Sequence, residues 1–295
     1  ALTQRYVNFF RSNLADLSGT MEVADVAILR SFASIQFNPA QSNFATVLFE
    51  QTLIQSKASF GIIFDRQVRG LERFKVLVLA DQDALSDEQI ERIDSFVQAG
   101  GGLVATGNTS LLTEWRRRRS SFGLARLFGI SQPLPKDAQN IPIKRHFGHG
   151  RVIYVPRVEP DVPAPPATMT YSVHNTLWKL PKNYEMLVSA VRWAAGDDLS
   201  LEVEAPVWVT VELVDQESSR SRLLHLVNFR FNDPVTNIHA RVKLPNGLRL
   251  REALLRRPEM SHPQVLEASV NRTAISIVIP RLEAYALVVL RTEPL

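Results

Sequence analysis

Asp81 and Asp83, two positions apart, are the residues in this 295-residue chain whose type and spacing best suit acid–base chemistry. Two carboxyl groups flanking a glycosidic bond can hydrolyse it, one as acid and the other as base or nucleophile. The pair stands in a loop just ahead of a helix N-cap, where turn formation and capping account for aspartate at least as well. The structural role therefore outweighs the catalytic one. His146 and His149, in the run HFGH, offer two imidazoles for a metal. Gly148 and Gly150 mark that run as a turn, and no cysteine or nearby acidic cluster completes a coordination set. His225, inside LLHLVNF, reads as a packed or hydrogen-bonded histidine, and His174, His239 and His262 lack companions at informative spacing. Gly100, Gly101 and Gly102 suggest a phosphate loop, but such loops follow a strand and open a helix. Here the glycines follow a helix and precede a strand, which is the position of a C-cap. Trp115 with Arg116, Arg117, Arg118 and Arg119 forms a cation cluster suited to an anionic polymer. No nucleic-acid-binding motif accompanies it, and the expectation is an intersubunit or interdomain contact. There is no GxSxG elbow, HExxH or Walker motif and no cysteine, so no catalytic residue, metal or cofactor is assigned.

These residues must be positioned by an α/β alternation. Residues 1–20 read as a helix, with Tyr6, Phe9, Phe10 and Leu14 at helical spacing and Gly19 at its end. Short apolar runs at 23–29, 60–64, 75–80 and 103–106 suit buried parallel strands, and 151–156 is a later one. Helices are expected over 43–56 and 184–195 and after Ser86, where Ser86 and Gln89 make a capping box and Asp87 and Glu88 complement the helix dipole. The proline-rich run 161–167 must be a loop. Strands alternating with helices argue a doubly wound parallel sheet. Ligands bind such sheets beyond the carboxyl ends of the strands. Arg30, Ser31, Asp65, Asp81, Asp83 and the run Gly107 to Ser110 fall there, and of these Arg30, Ser31, Asp81, Asp83, Asn108 and Thr109 are the candidate ligand-binding residues. Beyond residue 196 only strand signals remain, at 207–214, 221–229, 238–244, 264–269, 274–279 and 284–290, separated by turn residues. Evenly spaced short strands predict a small antiparallel β-sandwich. The expected organisation is a helical linker over 1–20 from an upstream domain, an α/β domain over 21–200, and a β domain over 201–295.

Composition narrows the class. Hydrophobic residues make up 45% and charged residues 22%, values of a globular chain rather than a disordered one. The net charge of +4 is a weak excess, which disfavours nucleic acid as a partner. No apolar run approaches the ~20 residues that span a bilayer, and the N-terminus reads amphipathic rather than as a signal peptide. The start at Ala1 points to processing or to a longer parent chain. The compartment does not follow from the lack of cysteine alone: it fits a reducing cytoplasm, the favoured expectation, but a secreted bacterial protein can also lack it.

The run KVLVLADQDALSDEQIERIDSFVQAGGGLVATGNTSLL (residues 75–112) resembles the trimerisation domain of family 42 β-galactosidases. FGLARLFGI (122–130) is similar to a later segment of that domain, and ADVAILRS and FEQTLIQSKASFGIIFD fit its first strand, helix and second strand. LLHLVNF, VKLPNG and VIPRLEAYALVVL resemble the small C-terminal β domain of such hydrolases. The resemblance implies a flavodoxin-like, class I glutamine-amidotransferase-like fold for the α/β domain. Amidotransferases of that class use a cysteine nucleophile, so their activity is excluded. It further implies that hydrolysis resides on an N-terminal catalytic barrel, and that the chain assembles as a homotrimer. The leading expectation is thus a non-catalytic assembly region of a glycoside hydrolase. The alternatives are a carbohydrate-binding protein whose sandwich presents Trp208 or Tyr285 for stacking, or a small enzyme using Asp81, Asp83 and Asn108.

Overall fold

The computed structural model describes residues 2–135, 137–163, 179–271 and 274–295. His174 and part of the proline-rich loop 161–167 therefore lie outside the described residues. The chain divides into two compact units. One comprises Asp25–Leu53 and Phe60–Asp198; the other comprises Ala1–Ala24, Ile54–Ser59 and Leu199–Leu295.

The chain begins with helices α1 (Leu2–Ser12) and α2 (Leu14–Leu17) and strand β1 (Thr20–Glu22), all in the second of these units. The α/β unit follows with β2 (Val26–Arg30), a short α3 (Phe32–Ile35), α4 (Phe44–Gln55), β3 (Phe60–Phe64), β4 (Val76–Leu79), α5 (Asp87–Gln98) and β5 (Gly102–Thr106). It continues with α6 (Ala125–Phe128), β6 (Ile143–Phe147), β7 (Gly150–Val155) and α7 (Tyr184–Ala194). The sheet order is β3-β2-β4-β5-β7-β6, parallel except for the edge strand β6. VAIL of β2, VLVL of β4 and GLVAT of β5 are buried throughout, as strands covered on both faces require.

Helix α5 begins as its sequence predicts. The Ser86 hydroxyl accepts the Gln89 N–H at 3.2 Å, and the Gln89 side chain accepts the Ser86 N–H at 2.8 Å. It ends in a Schellman motif. Gly100 is left-handed (φ 119°), and the N–H groups of Gly101 and Gly100 reach the carbonyls of Phe96 and Val97 at 2.9 and 3.0 Å. Gly102 then lies so close to the Ala194 carbonyl of α7 that a Cβ would collide with it. The three glycines thus serve capping and helix–sheet packing. His146 lies on β6, and His149 occupies the turn to β7.

The β unit contains β8 (Leu201–Glu204), β9 (Val209–Gln216), β10 (Ser221–Asn228), β11 (Val235–Lys243), β12 (Leu248–Arg256), β13 (Gln264–Val265), β14 (Ala268–Asn271), β15 (Ala274–Leu282) and β16 (Tyr285–Pro294). They form two antiparallel sheets, β1-β9-β10-β16-β12-β13 and β14-β15-β11-β8. Leu224, Leu226, Ala286 and Val288 of the first sheet share one core with Ile238, Val242, Ile275 and Ile277 of the second. The stretch expected as one strand over 264–269 is divided between the two sheets. On the outer face of the larger sheet, Phe9 of α1 packs with Leu223, Tyr285, Leu287 and Val289. That helix explains why YALVVL in β16 is apolar at consecutive positions: both of its faces are covered.

Candidate functional site

The loops after β2, β3, β4 and β5 meet in the α/β unit, and the candidate residues divide there into those bonded inward and those bordering an open cleft. Asp81 follows β4 in a left-handed conformation (φ 51°) and is buried. Its carboxylate accepts the Thr106 hydroxyl at 3.0 Å, the Asn108 N–H at 3.1 Å and the Gln41 amide at 3.3 Å. Burial pushes its carboxyl above the ordinary range, while these three hydrogen bonds act in the opposite direction. Gly107 presses on the same carboxylate so closely that any Cβ there would strike it. Gln82, the residue after Asp81, is also buried. Its amide donates to Thr46 at 2.9 Å and Ala80 at 3.0 Å, and its oxygen accepts the Ser31 N–H at 2.8 Å.

Asp83 is committed elsewhere. It accepts the Asn38 amide at 3.0 Å and both terminal nitrogens of Arg116 at 3.3 and 3.2 Å. Arg30 forks onto the Glu50 carboxylate at 2.7 and 2.5 Å. The Ser31 hydroxyl bonds the Ala84 carbonyl at 3.1 Å, and the Thr109 hydroxyl bonds the Leu79 and Thr106 carbonyls at 2.9 and 2.7 Å. Asn108 contributes its backbone N–H to Asp81. Among the candidate ligand-binding residues, Ser31 borders an open cleft and Asp81 and Asp83 brace the loops behind it.

That cleft has a volume of about 830 Å³, within the ~300–1,000 Å³ usual for small-molecule sites. Phe32, Phe37, Asp65, Arg69, Trp115 and Arg116 line it, together with the first turn of α5. Asp65 is held by the Gln89 amide at 2.7 Å and the Phe32 N–H at 3.0 Å. Of the arginine run, Arg116 turns inward to Asp83, and Arg119 bonds the Leu85 carbonyl at 3.0 Å and Asp87 at 2.7 Å. Arg117 and Arg118 are exposed. Sequence reasoning did not single out Phe32, Phe37 or Arg69. The available signal was Phe32, an aromatic residue just after the end of β2.

In the β unit, Tyr285 is buried beneath Phe9 and Phe10, and its hydroxyl lies 2.8 Å from Nδ1 of His225. Trp208 is covered by Arg230, whose guanidinium sits 4.0 Å from the ring centroid. Neither ring forms an open platform. Among the described residues, no group of three or more His, Asp or Glu side chains is placed to hold a metal ion, and no helix is long and apolar enough to cross a membrane.

No protein-family model and no curated protein sequence matches the chain. Solved structures do. An α-L-fucosidase isoenzyme 2 from Paenibacillus thiaminolyticus superposes with a TM-score of 0.65 at 15% identity, covering 96% of this chain and 51% of its own. Gan42B, a GH42 β-galactosidase from G. stearothermophilus, gives 0.61 at 15% identity, covering 96% and 42%. A β-galactosidase from Bacillus circulans sp. alkalophilus gives 0.61 at 12% identity, covering 93% and 42%. The likeness is one of fold: nearly all of this chain corresponds to about half, or less, of a glycosidase chain.

Proposed function

We propose that this chain is the non-catalytic assembly region of a glycoside hydrolase, with hydrolysis carried by a barrel outside these residues. The observation that carries the reading is the coverage: 96% of the chain superposes on 51% or 42% of a glycosidase. The carboxylates at the strand ends agree with it. Asp81 is buried among hydrogen-bond donors and Asp83 is paired with Arg116, so neither is free to act on a substrate. The finer reading of the α/β unit as flavodoxin-like and class I glutamine-amidotransferase-like is supported by its strand order. Counted from β2, the parallel strands run 2-1-3-4-5. Assembly as a homotrimer follows from the family 42 resemblance and needs surface complementarity rather than chemistry.

Sedimentation of the purified chain, together with assays on chromogenic galactosides, fucosides and rhamnosides, tests this. The expected result is a mass three times 33.2 kDa and no turnover. Turnover that disappears in Asp83→Asn would instead support a small enzyme working at the strand ends, and a monomeric mass would remove the assembly role.

A further inference from the structure

Trp115 leaves 78% of its surface exposed at the tip of a turn closed by hydrogen bonds. The Arg116 N–H bonds the Thr113 carbonyl at 2.8 Å, the Thr113 N–H bonds the Arg117 carbonyl at 2.9 Å, and the Arg117 N–H bonds the Thr113 hydroxyl at 3.2 Å. Arg116 adopts a left-handed conformation (φ 59°), uncommon for a side chain of its size. Its guanidinium folds back onto buried Asp83 and onto the Ala33 carbonyl at 3.0 Å. A positive φ and an anchored arginine thus hold a large indole in water rather than in the core. Such local strain, maintained by surrounding bonds, is characteristic of functional positions.

The indole is not isolated. Phe32 and Phe37 are 64% and 61% exposed, line the same cleft, and meet edge to face with centroids 6.0 Å apart. Around these rings the charges largely cancel. Arg66, Arg69, Arg92 and Arg116 line the cleft with Asp65, Glu88 and Glu114, and Asp83 behind them makes the count even. Arg69 pairs with Glu88 at 2.9 Å, Arg92 lies 4.0 Å from the same carboxylate, and Arg116 pairs with Asp83. A cleft with balanced charge does not select a polyanion. It offers flat aromatic faces for C–H surfaces, and carboxylate and guanidinium groups for hydroxyls. Asp65 accepts two hydrogen bonds in the structure, leaving lone pairs on a carboxylate with room for about four. The cleft also opens beyond the carboxyl ends of β2 and β3, beside the point where the strand order reverses, the usual ligand position in such sheets.

We propose that this cleft binds a neutral saccharide, with one pyranose face stacked on Trp115 and its hydroxyls bonded by Asp65 and Arg69. The choice of ligand class rests on the glycoside-hydrolase reading. The site itself rests on the presented rings and the balanced charge. Asp83 is then a positioning residue, acting through Arg116 to hold the indole over the cleft.

The test is titration of the full chain with lactose, cellobiose and maltose, by calorimetry and by saturation-transfer NMR. At least one sugar is expected to bind, and Trp115→Ala and Phe37→Ala should each weaken it by about tenfold or more. Trp115 is exposed, so its loss should leave the melting temperature unchanged. Phe229→Ala, which removes an exposed ring of the β unit, should leave affinity unchanged. Binding of none of the three sugars, equal affinity in Trp115→Ala, or loss of binding in Phe229→Ala would overturn the proposal. So would an oligomer that dissociates in Trp115→Ala with sugar affinity intact, since the cleft would then be covered by a second copy. A chain that assembles and lacks glycosidase turnover but binds no sugar would overturn the cleft alone and leave the assembly role standing.

Discussion

Lys57 illustrates how much one residue's environment depends on segments far apart in sequence. Its backbone is left-handed (φ 62°), and its buried ammonium donates to the carbonyls of Gln55 at 2.7 Å and Ala205 at 2.6 Å. Burial lowers its pKa from 10.5 to about 8. Between those values the folded state binds fewer protons than the unfolded state, so stability rises with pH across that window and is lost as pH falls through about 8. The denaturation midpoint is expected to increase from about pH 7.5 to about pH 9.5, and Lys57→Met should flatten that increase. An unchanged slope in the variant would place the titration elsewhere. The sequence carries Lys57 in an ordinary polar run, and nothing in its spacing marks the position as buried. For Asp81 and Asp83 the sequence permitted both a carboxylate pair and a turn. Partners from the β5 loop and the arginine run determine what each does, and neither is near in sequence.

At the scale of elements, local chemistry was most legible where a segment satisfies its own backbone. The N-cap of α5 is visible in Ser86 and Gln89, and its C-terminus in Gly100. Ser86→Ala should lower stability by about 1 kcal/mol, measured by urea denaturation, because one helix N–H loses its acceptor. A cost well below that would mean that water replaces the hydroxyl at this end. Strand β12 shows the opposite case. LRLREALLR is rich in good helix formers, and its Glu252-Ala253-Leu254-Leu255 core carries no alternation. Pairing with β16, including Leu254 opposite Val289, makes it a strand, with a bulge between Leu250 and Glu252. Propensity is a weak term beside a full ladder of backbone bonds and a shared core. Strands β1 and β8 were also illegible, being three and four residues long with no apolar run of their own.

For the whole molecule, the β unit is assembled from three separate stretches, Ala1–Ala24, Ile54–Ser59 and Leu199–Leu295. β1 forms the edge of its larger sheet, and α1 covers Tyr285, Leu287 and Val289. A fragment of residues 199–295 lacks both. It should melt well below the full chain and bind a hydrophobic dye, since that outer sheet face would stand open to water. A fragment with the stability of the full chain would show that the helix contributes little. By itself the sequence determined the alternation of the α/β unit, the caps of α5 and most of the strands beyond residue 196. These follow from periodicity, glycine placement and local hydrogen bonding, which act within a few residues. Tertiary structure alone decided that Asp81 and Asp83 serve as internal braces, that α1 shields the sheet, and that Phe32, Phe37 and Trp115 share one cleft. Each of those outcomes brings together groups from loops or segments distant in the chain, and such meetings leave no periodic trace in the residues involved.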